Sequence, residues 1–348
     1  LILTNMALWD GLSAEDHALL CDLPEQHGEI MRWLESQFLD HGPLAWGTLQ
    51  TELKKLPFYN LADKLMGSHT PSQPEEQLDI EPGEADKELR LLLNLMLIDQ
   101  LKQLGFEQVI DLHHNAKTLR IKRDLGVSAS SFHKLNIEKY LLTAFKVNVL
   151  PETHIVDRYL DAVKPLGVVN DGRGLDYFIS EADQLKKEDM PGAQWGGFVA
   201  VVIGAALGTK RWPTDHFKSF CQQLNHPIVL LGGEEDRERG AEIASTDPIK
   251  IYNACGKFSL NESADWVRRS KFVVTGDTGL MHIAAAYRKP IISIWGNTVP
   301  AFGMTPYYGS DEVPHELLEH KVWCRPCSKI GYDRCPIGHF SCMRKVGT

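Results

Sequence analysis

The spacing of apolar residues changes character along this chain. Over residues 1–66 they recur at helical intervals. "GEIMRWLESQFLDHG" sets Ile30, Trp33, Leu34, Phe38 and Leu39 on one face before a glycine stop, and "LSAEDHALLCDL" opens with Ser13 as N-cap and Asp16 three residues on. Residues 67–86, "GSHTPSQPEEQLDIEPGEAD", are polar, acidic and proline-containing, the pattern of a linker. "KELRLLLNLMLIDQLKQLG" then predicts a long helix closed by Gly105.

At Phe106 the grammar shifts. "FEQVIDLHHN" reads as a strand breaking into a polar turn, "KTLRIKRDLGV" and "IEKYLLTAF" as helix or strand pieces, and "HIVDRYLDAVKPLGV" as helix. From Phe198 onward, wholly apolar runs ("FVAVVIGAA", "PIVLLGG", "IYNACG", "FVVTGD", "PIISIWG") alternate with amphipathic segments. That alternation predicts a parallel sheet covered on both faces, with ligands beyond the carboxyl ends of its strands.

Composition adds a division of charge. The chain has 348 residues, long enough for two domains, with 43% hydrophobic and 24% charged residues, as in a globular protein. Residues 1–100 hold 18 Asp/Glu against 6 Lys/Arg, and the remainder 28 against 31, so only the later part suits an anionic ligand. General nucleic-acid binding is not expected. The longest apolar run, Phe198 to Leu207, is shorter than the about 20 residues of a membrane span. Seven cysteines without an opening signal segment point to a reducing compartment, the cytoplasm. The chain opens at Leu1 rather than Met, so a start further upstream is expected.

Three strand ends carry candidate chemistry. In "KFVVTGDTGLMHIAAAYRKPIISIWGNTVP", the turn "TGDTG" ends a strand and opens a helix. Its glycines allow close backbone approach, and first-turn N–H groups with Thr278 and His282 make a phosphate seat. Asp277 would repel phosphate but suits sugar hydroxyls. A plain capped helix is the alternative. "VVIGAALGTKRWPTDHF" brings out Lys210, able to reach a diphosphate or to lie solvated in its turn. "IVLLGGEEDRE" ends in Glu234 and Glu235, suited to ribose hydroxyls or to the dipole of their own helix.

With "KRWPTDHF", "LLGGEEDRERG", "IDLHHNAKTLRIK" and the tail "CRPCSKIGYDRCPIGHFSCM", these segments make residues 101–348 resemble glycosyltransferase family 9, the heptosyltransferase-like enzymes of lipopolysaccharide assembly. The resemblance implies an α/β fold of GT-B type, with a Rossmann-like donor domain and inverting sugar transfer needing no metal. It places Thr278, Gly279 and His282 on the donor phosphates, Asp277 on the transferred sugar, Lys210 on phosphates or ribose, and Glu234 or Glu235 on ribose. Lys117 falls on the acceptor side. The implied donor is a nucleotide-diphosphate sugar, ADP-linked, and the implied acceptor a lipid-linked saccharide at the inner face of the inner membrane. Ala205 and Ala206 stand where some relatives have hydroxyl residues, which leaves the donor's identity open.

The family's base is an aspartate in a motif like "R-x-S-x-x-G-D", and residues 1–100 contain none. Asp111 or His113, past the "VIDLHHN" strand, is the substitute candidate, with strand-end capping as the alternative; loss of the base would leave a nucleotide-sugar binder. Residues 1–101 resemble the C-terminal helicase-binding region of bacterial DNA primase, which implies a helicase contact and a fusion or chimera joined within "IDQLKQLGFEQVIDLHHN". The expected divisions are a helical region over 1–66, a linker over 67–86, a helix plus the remnant of an incomplete or replaced acceptor-side domain over 87–190, and the Rossmann-like donor domain with its cysteine tail over 191–348. In that tail Cys324, Cys327, Cys335 and Cys342, with His339 as a fifth candidate, would hold a structural zinc or remain thiols, free or redox-sensitive. Cys21, Cys221 and Cys255 are expected in the core.

Overall fold

The computed structural model describes residues 2–3, 6–67 and 82–347. They fall into two compact units, one of Leu1–Val109 with Asn115–Ala129 and one of Ile110–His114 with Ser130–Thr348. Most of the acidic stretch 67–86, from 68 to 81, lies outside the described residues.

The first unit is helical: α1 (Ala14–Cys21), α2 (Glu25–His41), α3 (Trp46–Leu53), α4 (Tyr59–Gly67), α5 (Pro82–Gln103) and, after the turn, α6 (Ala116–Leu125). Ser13 Oγ accepts from Asp16 N at 3.2 Å while Asp16 Oδ2 accepts from Ser13 N at 3.1 Å, the reciprocal cap read from the sequence. Trp9, Ile30, Leu34, Leu49, Leu53, Ala62, Leu89 and Leu93 form its core. Leu39, expected on the buried face of α2, is 79% exposed. Five residues beyond Leu34, it has rotated about 140° off that stripe. Cys21 is only half-buried, with Sγ 3.6 Å from Glu35 Oε2, because it closes α1 at the rim of this core.

β1 (Gln108–Asp111) and β2 (Ser128–Ser131) form a two-stranded sheet. The second unit continues with α7 (Asn136–Tyr140), α8 (Ile155–Asp161), β3 (Val199–Val202), α9 (Thr214–Gln223), β4 (Ile228–Leu231), α10 (Arg237–Ala244), β5 (Ile251–Asn253), α11 (Leu260–Arg269), β6 (Val273–Gly276), α12 (Gly279–Ala286), β7 (Ile291–Trp295), β8 (His315–Glu319) and α13 (Ser341–Arg344). Its six strands are all parallel, in the order β5-β4-β3-β6-β7-β8. The fold class is therefore α/β, a Rossmann-like parallel sheet of GT-B type preceded by a mainly helical region.

Successive residues of the central strand enter opposite cores. Ala200 and Val202 join Phe198, Val229, Trp266, Val273 and Trp295, while Val199 and Val201 join Ile203, Phe217, Ile228, Leu230 and Val274. Full burial contributes about 1.5–3 kcal/mol for each large apolar side chain. The strands are thus apolar throughout because neither face meets water. Cys221 and Cys255 lie in this second core. The sequence pattern missed β8, an edge strand whose "HELLE" is mostly exposed.

Candidate functional site

The strand order decides where chemistry gathers. The chain winds outward from β3 through β4 to β5, then returns to the other side of β3 as β6 and continues outward. Loops after β3 and β6 therefore diverge, leaving a crevice at their carboxyl ends, the place where such sheets take ligands.

Lys210 follows β3 and Asp277 follows β6. Their side chains meet as an ion pair, Nζ to Oδ2 at 2.7 Å, with Lys210 20% and Asp277 9% exposed. Thr298, in the loop after β7, donates to the same Oδ2 at 2.9 Å. Gly276 makes the close approach possible, because a Cβ there would lie 3.0 Å from the Lys210 carbonyl. Removing one member of such a buried pair strands the other's charge, at a cost of about 3–5 kcal/mol.

α12 starts immediately beside this pair. Its N-cap, Thr278, makes no side-chain cap; its Oγ1 instead bonds Thr275 Oγ1 at 3.0 Å. Gly279 is exposed, and a Cβ on it would meet nothing within 4 Å. The first turn thus presents backbone N–H groups at an open surface, an arrangement suited to phosphate. His282, one turn on, is held neutral: burial lowers its pKa most, Lys210 lowers it further, and Asp277 opposes both. A neutral ring there can gain a proton when an anion arrives.

The β4 end is less open than its sequence implies. Glu234 is tied to Arg237 Nη2 at 2.6 Å, and that guanidinium also donates to the Gly256 carbonyl at 2.8 Å. Glu235 folds back over Gly233. The buried acid is Asp236, whose Oδ2 accepts from Gly233 N at 3.2 Å against the glycines Gly204 and Gly232, with Arg239 at 3.7 Å. Sequence reasoning missed Asp236 and Thr298. The signal for Asp236 was the glycine after each of β3 and β4, which leaves space for one carboxylate.

At the end of β1, Asp111 is buried, and its Oδ1 accepts from the backbone N–H of His113 at 3.0 Å and of His114 at 2.6 Å. His113 is exposed. Lys117, exposed in the first turn of α6, belongs to the first unit, whereas Asp111 and His113 belong to the second.

The cysteine tail corrects the zinc expectation. Among the described residues no group of three or more His, Cys, Asp or Glu is placed to hold a metal, and all seven cysteines are free thiols. Cys324 Sγ meets His339 Nε2 at 3.4 Å, and burial with neighbouring Cys324 pushes Cys327 up to about 11. The tail is instead organised by the crevice. Tyr332 N donates to Thr209 Oγ1 at 2.8 Å and Thr209 N to the Tyr332 carbonyl at 2.9 Å, while the Asp333 carbonyl packs where Gly208 lacks a side chain. Arg325, paired with Glu319 at 2.9 Å, donates to the Thr298 carbonyl at 2.9 Å. The tail therefore braces the loop that carries Lys210 and the loop after β7, whose Thr298 holds Asp277.

The protein-family model described as glycosyltransferase family 9 (heptosyltransferase) matches residues 95–331. Lipooligosaccharide heptosyltransferase 2 of Haemophilus influenzae is 30% identical over 200 residues, 55% of this chain and 54% of that protein. Lipopolysaccharide heptosyltransferase 2 of Salmonella typhimurium is 35% identical over 164 residues, 42% of this chain and 47% of that protein. The chain spans about half the length of these curated relatives. Among solved structures, the E. coli ADP-heptose lps heptosyltransferase II shares the fold, with a TM-score of 0.51 at 20% identity over 68% of this chain and 75% of that one. Residues 1–94 lie outside the family match, and the comparisons give no support to the helicase contact implied by the primase-like resemblance.

Proposed function

The chain belongs to glycosyltransferase family 9, and from that premise we propose that it transfers a heptose-like sugar from an ADP-linked donor to a lipopolysaccharide-core-type acceptor with inversion. The observation that carries this reading is the Lys210–Asp277 pair at 2.7 Å beside the uncapped start of α12. There, a donor's diphosphate would lie on the first-turn N–H groups with Thr278, Gly279 and His282. Lys210 would turn from Asp277 to the phosphates, neutralising the charge that grows on the departing diphosphate. Asp277, released and still held by Thr298, would accept hydrogen bonds from the sugar. Glu234 or Glu235 would take the ribose.

Transfer is a single displacement: a base removes the acceptor hydroxyl's proton, that oxygen bonds the anomeric carbon, and the bond to the diphosphate breaks, inverting the centre. Asp111 and His113 are the proposed bases, with Lys117 toward the acceptor. No helix among the described residues is long and apolar enough to cross a membrane; the proposed setting is the cytoplasm, peripheral to the inner membrane where the acceptor is anchored.

Calorimetric titration with ADP and ADP-heptose, followed by turnover with a core acceptor, tests the reading. Saturable binding and a product of inverted anomeric configuration are expected. Binding without turnover would reduce the chain to a nucleotide-sugar binder, and no binding would remove the proposal.

A further inference from the structure

Arg158 is a buried cation without a counter-ion among the described residues. It projects from α8 and is 4% exposed. Its Nη2 donates to the Phe302 carbonyl at 3.1 Å, while Nε and Nη1 have no hydrogen-bond partner among the described residues. Its sequence neighbour Asp157 is engaged elsewhere, accepting from Tyr307 at 2.7 Å and Asn170 at 2.9 Å. Asp161, at the end of α8, pairs with Lys164. A charge so placed ordinarily costs several kcal/mol unless something opposite in sign answers it.

The charge has company of its own sign. Lys139, half-buried on α7, makes no ion pair among the described residues; burial, then Arg158, Lys329 and Lys134 in turn, push its ammonium down to about 8. Lys329 reaches across from the tail to Asn136 Oδ1 at 3.4 Å, at the start of the same helix. Four cations therefore gather with no carboxylate paired to any of them among the described residues. Three are partly or fully open to a ligand, and the fourth is buried.

We propose that Lys139, Lys329 and Lys134, backed by the buried charge of Arg158, form a subsite for a doubly charged phosphate group carried by the acceptor sugar, an assignment that rests on the transferase reading above. Four uncompensated charges suit a phosphate dianion better than a single carboxylate. The sheet order sets the flank. Arg158 is fastened to the loop after β7, whereas the ribose candidates follow β4, with β3 and β6 between. His154, the N-cap of α8, meets the Thr305 carbonyl at 2.8 Å and Ile155 N donates to the Gly303 carbonyl at 2.7 Å, so α8 and its arginine are held on the β7 side of the sheet. Lys139 and Lys329 hold the phosphate; Arg158 is a positioning charge that acts through them.

The test uses the full chain saturated with ADP, acylated with an amine-selective acetylating reagent at pH 8 and read by peptide mass spectrometry. Lys139 should react ahead of the surface lysines, and inorganic phosphate or glucose 6-phosphate should protect it saturably while ADP stays bound. Greater protection by glucose 6-phosphate supports a sugar-borne phosphate, whereas equal or weaker protection marks free phosphate and overturns the acceptor assignment. Lys139→Gln, whose half-buried position spares the fold, should weaken glucose 6-phosphate binding about tenfold in calorimetry, the loss of one charge-assisted bond. Lys139→Arg should restore most of it. Absent protection, unchanged affinity in Lys139→Gln, or displacement of the phosphate by ADP would each overturn the subsite. Failure of ADP itself to bind is a separate result, which sinks the donor reading and the acceptor assignment with it.

Discussion

Both units of this chain bury large apolar side chains, yet they differ in what particular helix starts leave open. In the helical unit, Ser13 and Asn115 close the first turns of α1 and α6 with their own side chains, so those ends meet their hydrogen-bonding needs locally. In the sheet unit α11 does the same with Ser259, but α12 does not, because the hydroxyl that would cap it is bonded to Thr275. Parallel strands also deliver their carboxyl ends to one edge of the sheet. Polar groups at that edge become neighbours even when far apart in sequence, as Lys210 and Asp277 are. A helical bundle has no such shared edge. The acidic balance of residues 1–100 sharpens the contrast, since it disfavours anions whereas the near-balanced charge of the later part does not.

The sharpest way to break this comparison is Lys210→Ala. It removes the diphosphate's proposed partner and strands the Asp277 carboxylate, so kcat/KM for the donor should fall about 10²–10³-fold. Steady-state kinetics reads this directly, and a fall below tenfold would deny Lys210 its role. Next in size is Leu34→Ala in the helical core, expected to cost that unit about 2–5 kcal/mol in urea unfolding. ADP affinity should stay within about twofold, because the two units have separate cores. A large loss of ADP binding would show that the helical unit shapes the donor site.

The smallest expected effect is in pH. Burial lowers the pKa of His282 below its ordinary 6.5, so the folded protein binds fewer protons there than the unfolded chain. Its share of stability is complete above about pH 6.5 and declines as pH falls toward the lowered value. Asp277 and Lys210 face the ring with opposite signs, and His154, also lowered mainly by burial, titrates in the same direction. His282→Gln should therefore flatten, without abolishing, the fall in stability below pH 6.5 measured by urea unfolding across pH. ADP binding should draw a proton onto the wild-type ring, seen as a buffer-dependent heat that the variant lacks.

Much of the sheet was legible because wholly buried strands carry an unmistakable apolar run, and because the glycines and polar residues after them mark strand ends. That Lys210 and Asp277 would share an edge followed from this. That they pair at 2.7 Å did not, since the distance depends on how far Gly276 lets two loops approach. Thr298 was invisible for the same reason: its bond to Asp277 exists only in three dimensions. The edge strand β8 escaped because half its surface is solvated, and Leu39 was misplaced because a helical stripe tolerates only about 50° of drift on each side. In the cysteine tail, spacing suggested a metal, whereas the segment is ordered by Thr209, Thr298 and the glycine at 208.

That bracing has a consequence for the making of the protein. Ribosomes add about 5–20 residues per second, and roughly 120 residues separate Lys210 from Tyr332. For about 6–24 s after its synthesis the lysine's loop therefore lacks the tail segment that braces it. The loop of Lys210 thus gains its brace only when a segment roughly 120 residues further along has been made.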